Sequence, residues 1–432
     1  MTARRIGSLP GSLWAAARWQ RWDRERTQEF QSRRLRLVVR HAYENVPFYR
    51  RRLDDAGLRP EDVRGIEDLA RLPTTSREEL QATPIADRLA RGVNPARLLM
   101  WRTSGSTGRP LTILHAAAER RLNAGITLGV MRRYGLRLTD LQVGLYHVRA
   151  GEAWPTTFFA GLGVLRHVSV SALAPAEEIL AHLRQLAPDA LGGYAGSLAW
   201  LTRFMINEDR RTIRPRLLTC GAEVLTAPMR RQMTAAFGVP PHDLYASHEL
   251  GLIGWQCPDG ELLHVCGVES LIEVLRDGAP ARPGEEGELV GTPLHSFAMP
   301  FIRYRQGDQV KVGPSPCVCG ADVVTLEAVH GRVADRFVLP GGREMHPYVL
   351  AHALNRAAPW LGRFQIVQTE PGTLLARVEP LPGAVPGPAE IETLVARIEE
   401  RTGGGVRVGV EVVDEIRPGE TGKFRTYVPF GS

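Results

Sequence analysis

Lysine is almost missing. Of 54 basic residues in this 432-residue chain only Lys311 and Lys423 are lysine. Where guanidinium serves nearly everywhere else, a surviving ammonium marks a position that suits a compact point charge with three rotatable donors. Cysteine is scarce as well: five in a chain this long do not make a disulfide framework. No uninterrupted apolar run approaches the ~20 residues of a membrane helix. The first twenty residues lack a long apolar stretch, so Arg4-Arg5 does not read as an export signal. There is no basic tail and no basic run interleaved with aromatics. The net charge of +7 therefore reads as general attraction for small anions, not as a nucleic-acid footprint. Internal repeats and long low-complexity segments are absent too. These absences point to a cytoplasmic globular protein with neither a membrane nor a nucleic-acid partner.

What is there suits an enzyme of more than one domain, with 44% hydrophobic and 23% charged residues. Residues 13 to about 58 read as helical, ending near Gly57 with Pro60 beyond. Arg33, Arg34, Arg36 and Arg40 form the polar face beside Leu35, Leu37, Val38 and Val39. From about 100 to 330, strand-like runs (Leu141 to Val148, Val164 to Val170, Arg216 to Cys220) alternate with helix-like ones (Ala176 to Leu186, Ala227 to Phe237). Beyond 332 the units shorten. A hairpin is expected around Pro340-Gly341-Gly342, a helix from Pro347, strands at Arg363 to Gln368 and Thr373 to Val378, a helix at Ala389 to Arg401, and a last strand at Val406 to Val413. The expected fold is α/β. A large N-terminal body, residues 1–332, has mixed or parallel sheets flanked by helices, and a small α+β C-terminal lobe covers residues 333–432.

Thr103-Ser104-Gly105-Ser106-Thr107-Gly108-Arg109-Pro110 is a Gly/Ser/Thr loop between apolar segments. Its glycines let backbone N–H groups approach an anion and its hydroxyls add donors, which suits a polyphosphate; it lacks the Gly-Lys-Ser/Thr ending of a Walker loop. Taken alone, such an octet is equally an ordinary flexible loop. Glu249 and Asp308 alone read as solvated carboxylates, and Lys423, on what reads as an exposed loop, as a solvated lysine.

The series taken in order is far less ambiguous. After the loop come Gly221-Ala222-Glu223, Tyr245-Ala246-Ser247-His248-Glu249, Arg303-Tyr304-Arg305-Gln306-Gly307-Asp308, Gly331-Arg332-Val333-Ala334-Asp335 and Gly422-Lys423. It resembles the adenylate-forming superfamily of acyl-CoA synthetases, luciferases and adenylation domains, and within it the short phenylacetate–CoA ligase-like branch. Ala42-Tyr43-Glu44-Asn45-Val46-Pro47-Phe48-Tyr49-Arg50 and Leu72-Pro73-Thr74-Thr75 are similar to the N-terminal segment of that branch, so the resemblance covers roughly residues 33 to 428. It implies that Thr103, Ser104, Gly105, Ser106, Thr107 and Gly108 hold the ATP phosphates. Glu249 would hold Mg2+, Tyr245 would stack on adenine beside Ala246 and Ser247, and Gly221, Ala222 and Glu223 would line the base and acyl pocket. Asp308 would take the ribose hydroxyls, Arg332 the ribose or phosphate, Asp335 and Arg336 would form the hinge between body and lobe, and Lys423 would be the catalytic lysine. His248 and Ala334 depart from the family pattern.

Cys257, His264, Cys317 and Cys319 are a candidate zinc set, although Cys-X-Cys is tighter than the usual spacing; Cys266 is an alternative to His264, and Cys220 reads as a core residue. Buried free cysteines are the other reading. The resemblance implies a structural zinc site. It also places Tyr146, Trp154, Phe158, Gly193 and Tyr194 where the branch builds its acyl pocket, with Gly192 to Ser197 as a floor; an aromatic cluster is more often plain core. The implied reaction joins a carboxylic acid, aryl or arylalkyl, to ATP as an acyl-adenylate with release of pyrophosphate, then transfers the acyl group to coenzyme A. An amine or carrier-protein acceptor is the alternative, and a non-catalytic nucleotide-binding homologue the rival of another class. Oligomeric state is not legible.

Overall fold

The N-terminal helical pattern produces two helices, Arg24–Asn45 and Pro47–Asp55, not one continuous helix to residue 58. Pro47 lacks an N–H for the preceding turn and holds Val46 in extended backbone (φ −112°, ψ 109°), so the helix must restart. Leu35, Val38, Val39 and Ala42 form the buried stripe. Arg33, Arg36 and Arg40 stay exposed. Arg34 turns inward, donating from Nε and Nη2 to the Leu294 carbonyl at 3.0 and 2.8 Å. The computed structural model describes residues 19, 22–102, 111–146, 161–207, 213–332, 336–345, 347, 350, 354, 358, 360–381, 383–417 and 423–431. Among these residues no helix is long and apolar enough to cross a membrane.

The chain forms two compact units, each drawn from two stretches of sequence. Residues 1–134 and 245–330 make the first. Its sheet is antiparallel: Ser270–Arg276 pairs with Glu286–Pro293, which pairs with Tyr304–Val312, while Leu263–Val265 lies between Gly251–Gln256 and Thr325–Arg332. The expected helix–strand alternation thus stops after residue 250. Tyr304–Val312 shows why: buried and open positions alternate along it, the period of a strand with one wet face. The core combines Leu35, Val38 and Tyr49 from the N-terminal helices with Leu250, Ile253, Leu289 and Phe301 from the sheet segments. Each such side chain contributes roughly 1.5–3 kcal/mol on burial.

The second unit holds residues 135–244 and 331–432. Parallel strands Arg166–Ser171, Leu141–Tyr146, Ala190–Tyr194, Leu217–Gly221 and the start of Pro241–Ser247 lie side by side in that order. Helices Ala176–Leu186, Ala195–Asn207 and Ala227–Phe237 connect them, as parallel pairing requires. Cys220 is buried in this sheet, as expected. The C-terminal part adds a four-stranded sheet in the order Arg407–Val412, Thr373–Pro380, Leu361–Glu370, Tyr427–Val428, covered by helix Pro388–Thr402. Phe337–Val338 and Glu344–Met345 form the expected hairpin. The helix expected from Pro347 falls mostly outside the described residues. Ile416 and Phe424 join the core formed by the parallel strands and their helices.

Candidate active site

In the first unit, Tyr245 and Ser247 are two apart on one strand, and Gln306 and Asp308 two apart on another, so each pair shares a face. Tyr245 Oη donates to Asp308 Oδ2 at 2.5 Å, and Ser247 Oγ donates to Gln306 Oε1 at 3.2 Å. A bulge makes this possible. Glu288 pairs with Gln309 but Val290 pairs with Arg305, so Gln306, Gly307 and Asp308 arch out of register, with Gly307 at φ +77°. Glu249 is 4% exposed and accepts from Tyr304 Oη at 3.4 Å. Ala246 is exposed. His248 stacks on Trp101, ring centroids 5.8 Å apart, and its carbonyl accepts from His115 Nε2 at 2.8 Å. Burial pushes His115 down to about 4, so its imidazole is neutral at ordinary pH.

The Asp308 strand is held from below by the N-terminal segment. Thr75 bridges to Tyr304, its N–H donating to the Arg303 carbonyl and its carbonyl accepting from the Arg305 N–H, both at 2.9 Å. Arg303, buried and at φ +43°, bonds Glu273 through two nitrogens at 2.9 Å and also donates to the carbonyls of Ala70 and Leu72. Tyr49 Oη accepts from the Ile302 N–H at 2.9 Å. The roles of Tyr49, Thr75 and Arg303 were not read from sequence, although all three lie in quoted motifs.

Cys257, His264, Cys317 and Cys319 present ligand atoms within 4.8 Å of one another. Two tight turns make the set: the Gly260 N–H donates to the Cys257 carbonyl and the Gly320 N–H to the Cys317 carbonyl. Three sulfurs and one imidazole at this spacing fit a closed tetrahedral zinc site. His264 is the fourth member; Cys266 lies fully buried outside the cluster. Glu249 offers carboxylate oxygen, the donor type that a hard cation such as Mg2+ would take.

In the second unit Glu223 follows Ala222, which sits at φ +63°, strained for a residue with a Cβ. Glu223 Oε2 accepts from the Gly196 N–H and Oε1 from the Phe424 N–H, each at 2.5 Å. Burial raises its pKa to about 7, against the pull of those two N–H groups and of Lys423 and Arg363. Lys423 is half-buried, not on an exposed loop as expected; its Nζ lies 5.3 Å from the centre of the Tyr194 ring. Tyr146 meets Tyr194 edge to face at 5.3 Å, and burial pushes its hydroxyl up to about 12. Gly193 is buried and Gly221 half-buried on adjacent strands. Arg336 is exposed and donates to Glu344 at 3.2 Å.

Thr103, Ser104, Gly105, Ser106, Thr107, Gly108, Trp154, Phe158, Ala334, Asp335, Gly422 and the side chain of Arg332 lie outside the described residues. Sequence reading also missed Arg363 and Glu379, both fully enclosed and bonded at 3.0 Å. They face each other across neighbouring strands, so a signal existed: opposite charges at matching positions of two apolar runs.

No protein-family model matches the chain. A curated phenylacetate–coenzyme A ligase of Thermus thermophilus is 27% identical over 380 residues, spanning 81% of this chain and 80% of that one. The phenylacetate–coenzyme A ligase of Escherichia coli is 27% identical over 331 residues, 73% of each. Among solved structures, a 2-hydroxyisobutyryl-CoA ligase in the postadenylation state has a TM-score of 0.72 at 24% identity, with 88% of this chain and 84% of that one covered. A benzoate CoA ligase from Burkholderia xenovorans has a TM-score of 0.56 at 18% identity, covering 78% and 69%. In sequence the chain is thus phenylacetate–coenzyme A ligase-like, and its fold is that of the adenylate-forming coenzyme A ligases.

Proposed function

We propose that the protein is an AMP-forming acid–thiol ligase: it joins a carboxylic acid to ATP as an acyl-adenylate, releasing pyrophosphate, and transfers the acyl group to coenzyme A. The observation that carries this reading is the pairing of Tyr245 and Ser247 with Asp308 and Gln306 at a bulge, within a chain similar to phenylacetate–coenzyme A ligases over four-fifths of its length. Asp308, an acceptor when ionised, suits ribose hydroxyls, and Tyr245 presents a ring for adenine. Glu249 would hold Mg2+, which neutralises phosphate charge when bound. Lys423 would bridge the substrate carboxylate and the α-phosphate, where a point charge stabilises the charge that develops as the anhydride forms. Thr103 to Gly108 would cradle the other phosphates and Arg332 would contact ribose or phosphate. Residues 333–432 would turn as a lobe about Asp335 and Arg336, withdrawing Lys423 after the first half-reaction and admitting the thiol.

The substrate is an aryl or arylalkyl acid, for which Tyr146 and Tyr194 supply aromatic surface near Lys423. Cys257, His264, Cys317 and Cys319 hold one structural zinc. The test follows pyrophosphate release and thioester formation together over aryl, arylacetic and short aliphatic acids, with coenzyme A present and then absent. Pyrophosphate release with aryl acids and thioester only with coenzyme A is the expected result. An adenylate that builds up and acylates an amine or a carrier protein instead would overturn the acceptor; no release with any acid would overturn the activity.

A further inference from the structure

The carboxylate of Glu223 joins three pieces of chain. One oxygen takes the Gly196 N–H in the first turn of helix Ala195–Asn207, where the helix dipole favours negative charge. The other takes the N–H of the peptide between Lys423 and Phe424. Contact is close enough that a Cβ added to Gly196 would collide with Phe424 and with the Glu223 carboxylate. The Gly196 carbonyl accepts in turn from Arg363 Nη1 at 3.2 Å, and the Arg363 guanidinium lies 5.2 Å from the Phe424 ring centre. The loop that carries Lys423 is thus held by one side chain and one helix end, with Phe424 as a buried peg.

We infer that Glu223 is a positioning residue that clamps the Lys423–Phe424 peptide to the start of helix Ala195–Asn207, so that Lys423 is seated for acid activation and released for acyl transfer. This rests on the proposed ligase activity. The clamp is made of two hydrogen bonds from backbone N–H groups to one buried carboxyl, which hold when dry and are replaced by water once separated. The groups facing the carboxylate are Lys423 and Arg363, both cationic, and the Cys220 thiol, whose pKa burial drives well above its ordinary value. Both carboxyl oxygens of Glu223 are taken by backbone N–H groups, so it acts through Lys423 and not through the base and acyl contact that the resemblance implies, and only the half-reaction that uses Lys423 depends on it.

The test compares wild type, Glu223→Gln and Gly196→Ala in three measurements. In pyrophosphate release driven by ATP and an accepted acid, both variants should lose roughly tenfold to a hundredfold in kcat, with KM for ATP within about threefold. From preformed acyl-adenylate and coenzyme A, both should form thioester within about threefold of wild type. In hydrogen exchange, the peptide containing Phe424 should exchange faster in both variants, while helix Ala227–Phe237 keeps its protection. Combined with Lys423→Ala, Glu223→Gln should add no further loss, the signature of one residue acting through another. An equal fall in both half-reactions, a raised KM for ATP with unchanged kcat, or unaltered exchange at Phe424 would each overturn the clamp. If wild type itself releases no pyrophosphate with any acid, the ligase reading fails, and the exchange measurement still decides whether Glu223 holds the peptide.

Discussion

Two arginine–glutamate pairs, one in each unit, solve the same problem differently. Arg303 bonds Glu273 and two backbone carbonyls, Ala70 and Leu72; Arg363 bonds Glu379 and two backbone carbonyls, Gly196 and Ile416. Both therefore use the guanidinium fork to tie distant chain segments. Their neighbours differ. Arg303 is the sole cation bonded to Glu273 among the described ion pairs, whereas Glu379 also meets Arg203 at 3.2 Å and accepts from the Ile416 N–H at 2.6 Å. Trp200 Nε1 donates to Glu415 at 2.5 Å beside this group. A joint made of apolar side chains would resist opening. One made of shared charges gives its groups back to water when it parts, which suits a segment proposed to move.

The largest effect should come from Lys423, next to the second joint. Lys423→Ala should lower adenylate formation by about two to three decades, the worth of ~3–4 kcal/mol for one well-placed charge contact. Lys423→Arg should rescue poorly, since a planar fork does not replace a point charge. Near wild-type pyrophosphate release by the alanine variant would remove the role assigned here. The pairs themselves can then be compared by urea unfolding. Arg303→Met strands Glu273 and should cost ~3–5 kcal/mol. Arg363→Met leaves Glu379 with Arg203 and should cost less while lowering adenylation more; equal losses in both properties would erase the distinction between the joints.

The Cys257, His264, Cys317 and Cys319 cluster, proposed to hold zinc, would be a third way to tie segments. Elemental analysis of protein purified without added metal should find about one zinc per chain, and Cys317→Ser should lower the Tm more than kcat. A metal-free preparation with full stability would contradict it. The smallest effect is on pH dependence. The docked Glu223 carboxyl titrates at about 7, above the ordinary carboxylate range of ~4.3. It therefore binds more protons folded than unfolded between those values. Its stabilisation is complete below the ordinary range and is lost as pH rises through 7. Wild type should thus lose stability relative to Glu223→Gln between pH ~5 and ~8, and a difference independent of pH would refute the buried placement.

The parallel half of the molecule was legible because its helices carry clean periodicity: Ala176–Leu186 and Ala227–Phe237 were found to the residue. The antiparallel half was not. Segments such as Gly251–Gln256, buried at all six positions, have no alternation to read. Val46-Pro47 breaks the helical stretch read to about residue 58, because backbone geometry overrides amphipathic spacing. At the site, motif residues that bear chemistry stood out by type, while those that hold them in place did not. The bonds of Arg363 to Gly196 and Ile416 join segments more than fifty residues apart, and separation of that kind leaves no local mark, unlike its pairing with Glu379 across neighbouring strands.

Trp255 stacks edge to face on His264 at 4.8 Å, with Trp19 and Tyr134 around it at 6.3 and 6.1 Å and the Arg133 guanidinium 5.5 Å from its ring. This places an indole against the one imidazole of the four-residue cluster. Its emission would therefore gauge the proposed zinc site: titrating a chelator should change tryptophan fluorescence in step with zinc release measured by elemental analysis, with no label added to the chain.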